Sequence, residues 1–321
     1  MTFMKYLKYS LVLFLTLAMG SCANDDDAPI PVVPPRDRGE QQIEDDMALV
    51  NYLESHYYNA SLFETPGDYE ITDIEIMELP KDADGNYLAL PNPDTNKILK
   101  DVVETKNTTF AETSYKYYIL RINQGGGDSV NFTDALRLNY AGSLEDGTVF
   151  DSAINPILIN LVGNGSTTFG AIQGWKEVMP SFGTAEGDAV INDDGTVSYN
   201  NYGFGVMFLP SGLGYFNSSV ASIPGYSNLI FKFAIFEAIA DDLDRDGVPS
   251  HLEDLNDNGD LMDDDTDGDG IPNFADVDDD GDGVQTQFED LDNDGDPTND
   301  DSNGDGIPNY LDPESTETNQ V

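Results

Sequence analysis

The sequence predicts an α+β protein built on an antiparallel sheet and followed by a long acidic tail with no hydrophobic core of its own. Three observations point there. An aromatic and apolar run over 115–122 and one-faced Leu136, Leu138 and Tyr140 over 135–140 read as strands. Ile43, Met47, Val50 and Tyr57 recur at helical spacing with Glu44, Asp45, Asp46 and Glu54 between them, which predicts a helix over 41–58. From Ala240 onward apolar residues become sparse and Asp, Asn and Gly dominate.

The formal charge is -47 over 321 residues, and roughly half of the acidic groups lie after Ala240, where Arg245 is the only Lys or Arg. Such a tail repels nucleic acid and anionic membrane, and its like charges oppose compaction unless cations neutralise them.

The chain opens with Lys5 and Lys8, an apolar run over 11–19, and Gly20 and Ser21 before Cys22. That is the layout of an export signal, too short to span a bilayer. Cys22 is the only cysteine, so no intramolecular disulfide can form. Its position resembles a bacterial lipoprotein cleavage site, which implies a signal peptide over 1–21 and lipidation of Cys22. Acyl chains contribute about 0.8 kcal/mol per buried methylene, so two or three of them anchor a protein durably. Asp25, Asp26 and Asp27 resemble the signal that sends lipoproteins to the outer membrane surface; a plain solvated linker would look the same. The expected location is therefore the bacterial cell envelope, lipid-anchored at the outer membrane, with the leaflet, and so surface exposure, left open.

Pro29, Pro31, Pro34 and Pro35 make residues 22–40 a stiff linker. An amino-terminal helix and extension follow over 41–113, with one strand candidate around Ile74 and Ile76 and a long loop that includes 80–96. Leu136, Leu138 and Tyr140 then share one face of a further strand.

Five separated motifs follow in order: Tyr140-Ala-Gly; Leu144-Glu-Asp-Gly-Thr-Val-Phe150-Asp151-Ser; Ile172-Gln-Gly-Trp175; Leu209-Pro-Ser-Gly-Leu-Gly-Tyr215; and Ile223-Pro with Leu229-Ile-Phe231. Any one of these aromatics is ordinary core on its own. As an ordered set they resemble the FKBP-type peptidyl-prolyl isomerases over about 115–238, which places an isomerase domain at 114–240. The resemblance implies a curved antiparallel sheet wrapped around one short helix beginning near Trp175. It also implies an apolar pocket of Tyr140, Phe150, Ile172, Trp175, Tyr215 and Phe231 with Asp151 as its polar member. Trp175 would be its floor, and Tyr215 Oη and the Ile172 N–H would be donors to a substrate carbonyl. No cofactor is needed for that chemistry. The sequence departs from the family's pattern in an insertion over 184–205, carrying the turn signal Asp193-Asp-Gly195, and in Phe216 at a position usually small. Lengthening over 164–169 leaves open whether Ile157, Leu158 or Phe169 completes the pocket wall.

The tail holds two gapless copies of a repeat of about 36 residues, 242–277 and 278–313, with a short end at 314–321. Each copy holds three twelve-residue loops with oxygen ligands at positions 1, 3, 5 and 12 and Gly at 6, the calcium-loop rule. The sets are Asp242, Asp244, Asp246, Glu253; Asp265, Asp267, Asp269, Asp276; Asp278, Asp280, Asp282, Glu289; Asp290, Asp292, Asp294, Asp301; and Asp301, Asn303, Asp305, Asp312. Asp254, Asn256 and Asn258, running to Asp265, form a weaker sixth. Oxygen donors favour calcium over zinc. Asp265 and Asp301 each end one loop and begin the next, which leaves no room for flanking helices. The tail over 241–313 thus resembles thrombospondin type 3 repeats, implying an extended calcium-bound segment with little regular structure. An acidic disordered tail is the bland alternative.

Together these readings give a calcium-carrying envelope isomerase acting on proline-containing exported polypeptides, held to the membrane through lipidated Cys22, with no nucleic-acid partner. The alternative is a non-catalytic lipoprotein that binds proline segments, as a chaperone or adhesin organised by calcium.

Overall fold

The computed structural model describes residues 34–163 and 170–320. The export signal, Cys22, the acidic triplet and the segment 164–169 with Phe169 lie outside the described residues. The chain divides into two compact units, Met1–Arg36 and Asp37–Val321, and the second carries every helix and strand described. Among the described residues no helix is long and apolar enough to cross a membrane.

Helix α1 spans Arg38–Ser55, with Asp37 as its cap accepting the Glu40 N–H at 2.9 Å. It stops short of the expected Tyr58, because His56–Tyr58 leaves the helix as strand β1. The buried face also differs from expectation. Ile43 and Met47 are 63% and 56% exposed, while Leu49, Leu53, Gln42 and Asp45 are buried. Asp45 and Gln41 satisfy each other by a hydrogen bond of 2.7 Å, so a polar stripe can face inward beside the two leucines.

Strand β1 lies between β2 (Ile76–Glu78) and β3 (Lys97–Ile98) in a small antiparallel sheet. The main sheet has six antiparallel strands in the order β4-β5-β10-β11-β6-β7. They are β4 (Glu104–Phe110), β5 (Thr113–Asn123), β6 (Ala135–Ser143), β7 (Val149–Asn160), β10 (Gly203–Leu209) and β11 (Leu229–Ile239). Strand β4 falls within the stretch read as an extension. Its sequence, Glu104-Thr-Lys-Asn-Thr-Thr-Phe110, is almost wholly polar, as an edge strand facing water can be, so it gives no apolar period. Between β7 and β10 lies a hairpin, β8 (Val190–Ile191) and β9 (Val197–Ser198), closed around Gly195 at φ 85°. This is the turn expected at Asp193-Asp-Gly195.

Both faces of the sheet are covered. All seven residues of β10 are buried, Met207 and Leu209 toward one core cluster and Phe204, Val206 and Phe208 toward the other. The first cluster packs on α2 (Gln173–Val178), which sits in the crossover from edge strand β7 to central strand β10. The second packs on Leu49 and Leu53 of α1.

Among the described residues the tail contains no strand. Its chain turns through short 3-10 segments, including Asn273–Ala275 and Asn309–Leu311, which stand at matching places in the two copies. The copies share backbone detail as well. Asn273 N–H donates to Asp264 O at 2.9 Å and Asn309 N–H to Asp300 O at 2.7 Å. Asn160 Nδ2 donates to Asp241 Oδ2 at 2.8 Å where the tail leaves the sheet.

Candidate functional site

The expected pocket residues arise from five separate segments and converge at α2. Trp175, 4% exposed, packs edge-on against Tyr140 and Phe231, with ring centres 5.4 Å away in each case. Phe150 meets Phe231 edge-on at 5.5 Å. Such perpendicular contacts suit the charge distribution of aromatic rings. Gly142 is required here. A Cβ on it would lie 2.5 Å from the Phe150 ring and 2.7 Å from that of Phe231.

Asp151 follows Phe150 on β7 and is exposed, with its Oδ2 accepting the Tyr140 hydroxyl at 2.5 Å. Burial first, then that hydrogen bond, raises the Tyr140 phenol well above its ordinary value. Burial and the nearby Asp151 charge raise Tyr215 too. Both phenols are therefore protonated donors at neutral pH. Tyr215 and Ile172 are half-buried against the same core cluster. Ile172 caps α2 in an extended conformation and its carbonyl accepts the Trp175 N–H at 3.0 Å. Among the described residues, neither the Tyr215 hydroxyl nor the Ile172 N–H donates to any group. Ile157 and Leu158 stand 38% and 49% exposed on β7.

The turn carrying Tyr215 is tied down from the far side of the sheet. Asp45 Oδ2 accepts the Ser211 N–H at 2.9 Å and its hydroxyl at 2.7 Å. Phe216 adopts φ 49°, its ring under the Arg38 guanidinium at 4.2 Å and edge-on to Tyr226 at 5.3 Å. It is thus a clamp between the turn and α1.

The acidic loops repeat a common backbone. Every position-6 glycine (Gly247, Gly259, Gly270, Gly283, Gly295, Gly306) has φ between 78° and 101°. Five of these glycines donate N–H to the position-1 aspartate at 2.8 to 3.2 Å. Carboxylate oxygens converge within 4.8 Å in four position-1, 3, 5 trios, at Asp242, Asp265, Asp278 and Asp290 with their loop partners. Asp276, Glu289, Asp301, Asp305 and Asp312 fall outside these trios, and Glu253 groups with Asp246 and Asp279 instead. In the last loop Asn303 Nδ2 instead donates to Asp312 Oδ2 at 2.8 Å.

The donor chemistry fits a hard cation. Both carboxylate oxygens of Asp244, Glu253, Asp279 and Glu289 are buried without a hydrogen-bond partner, as is one oxygen each of Asp246, Asp278, Asp280 and Asp282. Burial, then mutual repulsion, pushes Glu253 up to about 10, Asp279 to about 9, and Asp244 and Glu289 to about 8. Burial alone leads for Asp246 and Asp280, each raised to about 6. Uncompensated buried carboxylates cost several kcal/mol each, and an all-oxygen shell is what calcium takes.

Sequence reasoning missed three features. The Gly142 contact and the Asp45 clamp depend on segments distant in the chain. Asp264, Asp279 and Asp300 hold orphaned buried oxygens at positions to which the loop rule gives no role.

The family described as BamM C-terminal matches residues 243–296, within the acidic tail. No curated protein matches the chain. Among solved structures, the chain is similar to a peptidyl-prolyl cis-trans isomerase from Pseudomonas syringae pv. tomato at 18% identity and TM-score 0.29. That likeness covers 38% of this chain and 74% of that one. It is also similar to FkpA from Escherichia coli, at 22% identity and TM-score 0.31, over 42% of this chain and 52% of that one.

Proposed function

We propose that the protein is a peptidyl-prolyl isomerase of the FKBP type, lipid-anchored through Cys22 in a bacterial envelope and carrying a calcium-organised tail. The observation that carries this reading is the aromatic floor of Trp175, Tyr140 and Phe231, in a core cluster against which Tyr215 and Ile172 pack with hydroxyl and N–H unengaged.

Rotation about an X-Pro bond needs no bond cleavage, only relief of C–N resonance worth about 18 to 20 kcal/mol of barrier. The planar ground state carries charge on its carbonyl oxygen, and the twisted transition state loses that separation. An apolar aromatic site therefore favours the twisted form. Tyr215 and Ile172 would hold the carbonyl of a bound segment. Asp151 would hold the Tyr140 phenol, fixing its ring against Trp175. The substrates are proline-containing exported chains, whose uncatalysed isomerisation takes about 10 to 100 s.

Calcium, when bound, supplies positive charge between carboxylates that otherwise repel. Asp242, Asp244, Asp246 and Glu253 would hold one ion, and Asp278, Asp280, Asp282 and Glu289 another. The trios at Asp265 and Asp290 would serve their own loops. The tail then acts as a rigid spacer or docking module.

Titrating proline peptides while following Trp175, the only tryptophan in the chain, tests the site. A saturable change that disappears when proline is replaced by alanine supports it; no response to any proline peptide sinks it.

A further inference from the structure

Between the two copies lies a carboxylate cluster that the twelve-residue loops do not explain. Asp246 and Glu253 belong to the first loop, but Asp279 stands second in the loop beginning at Asp278, where it has no ligand role. One oxygen from each of Asp246, Glu253 and Asp279 lies within 4.8 Å of the others. The three residues are 0%, 0% and 2% exposed. Both oxygens of Glu253 and Asp279, and Oδ2 of Asp246, have no hydrogen-bond partner among the described residues.

The surroundings seal this cluster with residues of the second copy. Thr286 is fully buried beside it, its N–H bonded to Val277 O at 3.0 Å. Tyr310 is 3% exposed and feels the charges of Asp279, Glu253 and Asp246. Pro297 lies 3.7 Å from where a Cβ on Gly247 would stand, so the first loop rests on the second copy. Arg245, the only Lys or Arg in the tail, is exposed. Three buried carboxylates aimed at one point repel strongly in a low-dielectric setting unless a cation lies between them.

We propose that Asp246, Glu253 and Asp279 hold a second divalent cation between the two copies, an oxygen-ligand site for calcium beside that of the first loop, with Asp246 and Glu253 bridging the two ions. This rests on the reading of the tail as calcium-binding. The ion staples the loop over 242–253 to the second copy, so that the two copies fold as one body.

The second copy serves as an internal comparison. Ser315 stands 36 residues after Asp279, in the equivalent relation to the loop over 278–289. Its hydroxyl donates to Asp312 Oδ2 at 2.7 Å. No third carboxylate completes that position, so the site is particular to the junction of the copies.

Calorimetric titration of the metal-stripped protein with calcium chloride tests the proposal through Asp279→Asn, which keeps the shape and removes the charge. The variant should bind one equivalent fewer than wild type. Full stoichiometry in the variant overturns the proposal. Should the variant fail to fold, crystals of wild type grown in calcium decide. Two ions, one on Asp242 and Asp244 and a second about 2.3 to 2.6 Å from an oxygen of all three carboxylates, support the site; a single ion in this region, or one that leaves Asp279 unligated, overturns it. Absence of calcium uptake anywhere removes the tail reading itself, whereas an unchanged count in the variant removes only this site.

Discussion

Asp45 and Ser211, 166 residues apart in sequence, are joined by two hydrogen bonds to one carboxylate oxygen, from the Ser211 N–H at 2.9 Å and its hydroxyl at 2.7 Å. Through this pair the amino-terminal helix fixes the turn that presents Tyr215. Asn228 adds a bond from Nδ2 to the Asp45 carbonyl at 3.2 Å. The helix is thus a structural brace for the turn beside the aromatic cluster on the opposite face of the sheet.

Replacing Asp45 by Ala strands a fully buried Ser211 N–H and hydroxyl. A buried donor left without a partner costs about 1 to 3 kcal/mol. Urea denaturation should show a loss of this size. Binding of proline peptides should weaken as well, because the Tyr215 turn loses its tether. A variant as stable as wild type would contradict the brace.

The same carboxyl imposes a pH dependence. Burial, the largest influence, raises the folded Asp45 above its ordinary 3.8 against the opposing hydrogen bonds from Ser211 and Gln41, with Glu44 adding repulsion. Glu145 also faces it. The folded state therefore holds this proton more tightly than the unfolded chain. The contribution is fully present below 3.8 and is lost as pH rises through the folded value. The stability difference between wild type and Asp45→Asn should shrink in wild type's disfavour over that rise. A difference that is flat with pH rejects the assignment.

Gly142→Ala places a methyl against the Phe150 and Phe231 rings. Overpacking of this kind costs about 1 to 3 kcal/mol. The folded variant should lose most peptide-dependent change in Trp175 fluorescence, since the ring contacts must spread. Peptide affinity equal to that of wild type would show that the cluster lies apart from the binding surface.

Calcium removal is reported by a single peptide bond. Arg245 is the only Lys or Arg after Ala240, so trypsin has one cleavage point in the tail. With calcium the loop over 242–253 should resist cutting. Under chelation the uncompensated carboxylates of Asp244, Asp246 and Glu253 should open it, and cleavage after Arg245 should accelerate at least tenfold. Equal rates in both conditions would mean that the loop's order does not depend on metal.

Much of the fold was legible in the sequence because it follows from period. The aromatic run over 115–122 became β5, buried on both faces, and the period over 135–140 became β6, with Leu136, Leu138 and Tyr140 facing one core. Strand β4 was not legible, since a polar edge strand carries no apolar signal. The helix was legible but its face was not: Ile43 and Met47 form the apolar stripe by composition, yet hydrogen bonding makes burial of Asp45 tolerable and turns the helix toward Leu49 and Leu53. In the candidate pocket, Tyr140, Trp175 and Phe231 were found through an ordered set of motifs, not through any local property. The need for Gly142 and the position of Asp279 depend on which segments meet, and the chain order alone does not say which do.

Isomerase activity is decided by cis–trans exchange of a short X-Pro peptide, followed by magnetisation-transfer NMR with catalytic amounts of the protein. The account predicts faster exchange with wild type, a loss of at least tenfold in Phe231→Ala, and a smaller loss in Tyr215→Phe. It predicts little change when calcium is chelated, because the pocket and the tail loops are built from separate residues. Wild type that binds the peptide yet leaves its exchange rate unchanged would contradict the isomerase and leave a proline-binding adaptor in its place.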